Sequence, residues 1–176
     1  MKNIILSVLF LSITLQIFGL FNQKPAFASP SVAFDRIGIV VGSYHFNNDG
    51  SHAWRTPTAH YEEYNPGVTA FFNVKGVPLI NQAGISYITK NSFGTPSVYV
   101  SVYHKLASIG PVRIDLAAAL ATGYHNEVKL ANQFDGILPL AGISLIVFRH
   151  VEIDIIPAGY ISGNNNANEL FFTVRL

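Results

Sequence analysis

From residue 36 onward the chain repeats with a period of two, in short runs rich in Val, Ile, Phe and Tyr that are broken by Gly, Pro and Asn. In the last run Leu170, Phe172, Val174 and Leu176 share one face, and Glu169, Phe171, Thr173 and Arg175 share the other. Earlier, Val112, Ile114, Leu116 and Leu120 oppose Arg113, Asp115, Ala117, Ala119 and Ala121. A period of two belongs to the strand, whose successive side chains point to opposite faces. No stretch holds an apolar pattern of helical period between caps. The runs predict eight strands, at roughly 36–47, 66–75, 79–90, 97–107, 111–123, 137–148, 150–160 and 169–176.

Most of these strands are about 10 residues long, the length a tilted strand needs to cross a bilayer. Their connections alternate: 48–65, 91–96, 124–136 and 161–168 are long, while 75–78, 107–111 and 149–150 are short. An even number of strands with short turns at one end and long loops at the other is the pattern of an outer-membrane barrel. Lipid offers no hydrogen bonds to an open edge, so such strands must close on themselves. Composition agrees, since 12% of residues are charged and 49% hydrophobic, against about 25% charged in ordinary soluble domains. A secreted, soluble lipocalin-like barrel needs more polar outward faces than these. The reading is an all-β, eight-stranded antiparallel transmembrane barrel over 29–176, with no partner needed to close it.

Residues 1–28 read as an address. Lys2 opens a short basic start, an apolar run follows, and Ala26-Phe27-Ala28 supplies an Ala-x-Ala cleavage site. The alternative is an uncleaved anchor, which Ser7, Ser12, Thr14 and Gln16 weaken. The formal charge of +1 leaves no basic excess for phosphates, so nucleic acid is not an expected partner. The absence of cysteine excludes disulfides and thiolate metal sites. The six histidines show no H-E-x-x-H spacing, and His52, His60 and His125 read as loop residues.

Charged residues must face inward in such a barrel. Lys75, Lys105, Arg113, Asp115, Glu152, Asp154 and Arg175 all fall toward the short-turn end, where they are expected to pair into a floor. The inward positions above it, Ala117, Ala119, Ala121, Ile156 and Ala158 with Ser43, Val41 and Ser86, are small or weakly polar. An eight-stranded barrel holds either its own side chains or one small ligand. Two readings stay open: an apolar slot for an acyl chain, or a lumen filled by Phe71, Tyr99, Tyr103 and Leu140.

Several short motifs, in order, resemble the lipid A palmitoyltransferase (PagP-type) family of outer-membrane acyltransferases. They are Tyr64-Asn65-Pro66-Gly67, Ile137-Leu138-Pro139-Leu140-Ala141, and Ile156-Pro157-Ala158-Gly159-Tyr160 followed by the Asn-rich stretch 163–166. The resemblance runs from about Ile37 to Leu176. It implies movement of a palmitoyl-type chain from a glycerophospholipid donor to a hydroxyl of lipid A, without a cofactor, at the outer surface of a diderm bacterium.

The resemblance also implies a lateral gate flanked by Pro139 and Pro157, because proline removes ladder hydrogen bonds. A second family gate is half matched, by Pro66, with Val40 in its partner's place. The family's surface His corresponds to His45, and its Asp-Ser pair to Asn91-Ser92, so the Asp is replaced by an amide. The implied roles are base for His45, hydroxyl partner for Ser92 and orienting group for Asn91, with Asp49, Glu62 or Glu63 as candidate replacements for the lost charge. Slot residues are Ala117 and Ala119, and either Ser101 or Tyr103 sets its depth. The lead 29–36 leaves no room for the family's N-terminal amphipathic helix. The non-enzymatic alternative is a structural or lipid-binding barrel of the same shape.

Overall fold

The computed structural model describes residues 29–47, 50–56, 59–124, 128, 131, 133–157 and 167–176. The expected leader, Asp49, His125, Ala158 and the Asn-rich stretch lie outside them. Among the described residues ten strands occur in chain order: β1 (Ser31–Phe46), β2 (Trp54–Thr56), β3 (Ala59–His60), β4 (Gly67–Lys75), β5 (Gln82–Ile88), β6 (Ser97–Ile109), β7 (Val112–Ala121), β8 (Leu138–Val147), β9 (Val151–Ile156) and β10 (Asn168–Arg175). Eight of them form a closed antiparallel barrel in the order β1-β10-β9-β8-β7-β6-β5-β4. β2 and β3 pair only with each other, inside the first long connection. Their runs are too short to carry a period, so the alternation did not predict them. β1 starts at Ser31 rather than at 36, because Ser31–Phe34 gain a ladder against Phe72–Lys75 of β4.

The wall is apolar outside. Ile39, Ile85, Val100, Leu116 and Leu120 are among the large hydrophobics that the barrel leaves exposed. Inside, β10 buries Glu169, Thr173 and Arg175, as its alternation predicts. β1 departs from strict alternation. Its register against β10 slips between Val40 and Gly42, leaving Val41 as the extra residue. A bulge flips the parity of everything beyond it. Val40, Ser43 and His45 are therefore buried, whereas Val41, expected near the lumen, is 48% exposed.

The lower lumen holds a polar floor. Arg175 Nε donates to Glu152 Oε2 at 2.8 Å and its Nη1 to Gln82 Oε1 at 2.8 Å. Ser144 Oγ donates to the other Glu152 oxygen at 3.1 Å, and Arg113 makes a forked contact with the buried Asp115. The Arg175 guanidinium also lies 3.9 Å over the Phe71 ring. That ring fits because residue 38 is glycine; a Cβ there would lie 2.8 Å from Phe71 Cε2 and 2.8 Å from Thr173 Cγ2. Gln82 and Asp35 also belong to the floor, joined by a 3.0 Å hydrogen bond. Lys75 and Lys105, expected in it, are instead exposed at the mouth, since long ammonium side chains there reach water.

Removing one partner of a buried ion pair strands the other, at a cost of about 3–5 kcal/mol. Arg175→Met is expected to destabilise by that amount in urea unfolding. The double variant Arg175→Met/Glu152→Met should recover most of the loss.

Candidate active site

At the long-loop end, β1, the segment 61–66, the loop 89–96 and the start of β10 converge. The β1–β10 register sets His45 directly across from Glu169, so their inward side chains meet as a cross-strand pair. The imidazole is wholly buried and stacks on Tyr61, with centroids 4.2 Å apart and planes 15° apart. Its Nε2 lies 3.5 Å from Glu169 Oε1, and its Nδ1 lies 3.9 Å from Glu63 Oε1. Ser92 Oγ donates to the same Glu169 oxygen at 3.0 Å. One carboxylate oxygen therefore adjoins both an imidazole and a hydroxyl. Glu63 also accepts from the His45 backbone N–H at 3.2 Å and contacts His52 Nε2 at 2.9 Å.

Asn91 is placed differently. Its Nδ2 donates to the Gly123 carbonyl at 3.0 Å and to Ser97 Oγ at 3.2 Å. Its Oδ1 accepts from the N–H groups of Phe93 and Thr95, at 2.9 Å and 3.2 Å. The amide thus builds the turn that carries Ser92 to Glu169, and none of these four bonds goes to His45. An aspartate here would set a second oxygen against the Gly123 carbonyl, which explains the amide. Of the residues considered as replacements for the missing charge, Glu63 borders the imidazole, whereas Glu62 accepts from the Tyr64 N–H at 3.3 Å. Glu169 was the residue the sequence reading missed. The inward face of the last strand already contained it, but ionic groups were expected only at the opposite end of the lumen; a buried carboxylate near the rim corrects that expectation.

Directly beneath Glu169 lies a cavity of about 60 Å³. Ala117, Ala119, Ser86 and Ser101 leave it open, and two aromatic pairs narrow it. Tyr99 stacks on Phe171 at 6.0 Å, and Phe71 packs against Tyr103 at 6.2 Å. The large residues Phe71, Tyr99, Tyr103 and Leu140 thus line the space without closing it. Ser101 and Tyr103 act together at its wall, with Ser101 Oγ donating to the Tyr103 hydroxyl at 3.2 Å. Ala121, expected in the slot, instead joins an apolar cluster with Tyr124, Val128, Leu138 and Leu140. Burial pushes the Tyr124 phenol well above its usual pKa, and its hydroxyl bonds that of Tyr99.

The barrel wall is uneven beside this cavity. β8 pairs with β7 along its whole length, from Leu138 to Val147, but with β9 only along Ile143–Val147. Among the described residues, Leu138–Gly142 have no ladder partner on the β9 side. Pro139 lies in that stretch and Pro157 follows the end of β9. Extending the register places Ala141, not Pro139, opposite Pro157. Leu140, Ala141, Gly142 and Ile156 also line the cavity, so it reaches the wall at this seam. The opposite side differs. β1–β4 pairing ends at Val40↔Gly67, next to Pro66. Above it the Ser43 N–H donates to the Glu63 carbonyl at 2.9 Å, stitching the segment 61–66 onto β1.

No family model and no curated protein matches the chain.

Ser92→Ala removes one hydrogen bond to a buried carboxylate and should lower stability by about 1–3 kcal/mol. Asn91→Ala removes four bonds that shape the loop, so chemical unfolding should rank it as the more damaging change.

Proposed function

We propose that the chain is an outer-membrane acyltransferase that moves a palmitoyl-type chain from a glycerophospholipid to a hydroxyl of lipid A. The observation that carries this reading is the position of Glu169. It holds Ser92 and adjoins His45 on one side, and on the other it lines the apolar cavity. A base, a hydroxyl and a largely apolar cavity thus meet at one carboxylate. The exposed apolar wall supports the membrane setting, because an outward face of this size is costly in water. The half-paired seam between β8 and β9 supports a lateral route for the donor.

In this mechanism the cavity widens beyond its resting volume of about 60 Å³ to admit the acyl chain, whose ester carbonyl stays at the rim. The acceptor hydroxyl attacks the carbonyl carbon and its proton passes to the imidazole of His45. The C–O bond to the glycerophospholipid then breaks, and the imidazolium returns the proton to the leaving lysophospholipid oxygen. Glu169 orients the imidazole and stabilises its charged form, while the Ser92 hydroxyl, turned from Glu169, stabilises the oxyanion. Asn91 holds the loop rather than the base.

A second reading, a lipid-binding barrel without catalysis, is favoured by one observation: His45 is 0% exposed beneath Tyr61. In the catalytic reading that ring must move aside when substrate binds.

Purified protein in detergent, given labelled phosphatidylcholine and lipid A, separates the two when products are read by mass spectrometry. The expected result is a lipid A species heavier by one acyl chain, reduced about 10²–10⁴-fold by His45→Ala. Equal transfer by that variant rejects the site, and no transfer by the parent favours the second reading. In bilayers, Leu120→Arg should cost about 2–4 kcal/mol if that outward position faces the membrane midplane, and little if it faces water.

A further inference from the structure

Below the floor, at the short-turn end, lies a second cavity of about 570 Å³. Arg36, Lys105, Arg113, Arg149 and Arg175 line it, and Asp35 is the sole acid among its lining residues. Three of the arginines have carboxylate partners. Arg36 pairs with Asp35 at 3.0 Å, Arg113 with Asp115, and Arg175 with Glu152 at 2.8 Å. Among the described residues no carboxylate pairs with Lys105 or Arg149, so the vestibule carries two uncompensated cations. Arg175, 2% exposed, also lines this cavity.

The turn that presents Arg149 is itself unusual. Phe148 and Arg149 adopt left-handed backbone angles, with φ of 50° and 66°, a conformation that non-glycine residues reach only at a cost. The Arg149 carbonyl accepts from Arg36 Nη1 at 3.1 Å, fixing the turn against β1.

We propose that this vestibule binds a small organic phosphate. Guanidinium groups present paired N–H donors that match the oxygens of phosphate, and the volume exceeds what a bare inorganic ion fills. The ligand is either a soluble phosphoester or the headgroup of a lipid at that end of the barrel; the recognising chemistry is the same. The site is independent of the rim chemistry, because it shares no residue with the His45–Glu169–Ser92 cluster.

The full chain in phosphatidylcholine nanodiscs, titrated with glycerol 3-phosphate at low salt, tests this by calorimetry. Saturable binding is expected, weakened about tenfold by Lys105→Gln combined with Arg149→Gln and further by added salt. Both side chains are exposed, so the double variant should keep the parent's unfolding midpoint. Nanodiscs containing phosphatidylglycerol separate the two sources: loss of glycerol 3-phosphate binding there assigns the headgroup, and unchanged binding assigns the soluble ester. No saturable binding up to about 10 mM, or equal affinity in a folded double variant, overturns the proposal.

Discussion

The pairing of β1 with β10 is the constraint on which the rest depends. Without it, two edge strands would present unpaired N–H and C=O groups. With it, every inward position has a fixed neighbour across the strand, and polar residues acquire partners that an open sheet would not give them. Closure sets His45 against Glu169 at one end. Near the other, Arg175 meets Glu152 on the neighbouring β9 and reaches Gln82 of β5 across the closed lumen. Both polar centres therefore include a contact that closure makes.

Between them the lumen changes character over a short height. The floor is a network of charged groups satisfied largely by one another, and the space above it is walled by alanine, serine and aromatic rings. Such an arrangement keeps the burial cost of the ions concentrated where hydrogen bonds can offset it. At the upper wall β8 and β9 approach closely at Gly142, where a Cβ would lie 2.2 Å from the Ile155 carbonyl oxygen.

Much of this was legible in the sequence. The period of two gave the eight barrel strands and the inward faces of β7 and β10, because both properties are local. What escaped depends on contacts between distant segments. The bulge at Val41 keeps Ser43 inward but puts Val40, not Val41, on the lumen face below it, and nothing within β1 alone announces it. Asn91 read as an orienting group for His45 beside the hydroxyl of Ser92, yet the loop turns the amide toward Gly123 and the hydroxyl toward Glu169. Glu169 itself was visible as an inward acid, but its meeting with a serine 77 positions away follows only from closure. Lys75 and Lys105 carried the right face and the wrong depth, since alternation reports direction and not exposure.

The register Gly38↔Arg175 has a consequence for how the molecule comes into being. The contact that completes the cylinder joins strands far apart in the chain, a topology of high contact order that assembles slowly. Until those ends meet, hairpins with greasy outer surfaces and sticky borders must persist as separate pieces, vulnerable to aggregation. An escort that shields them until the cylinder closes is what such a topology demands of the cell that makes it.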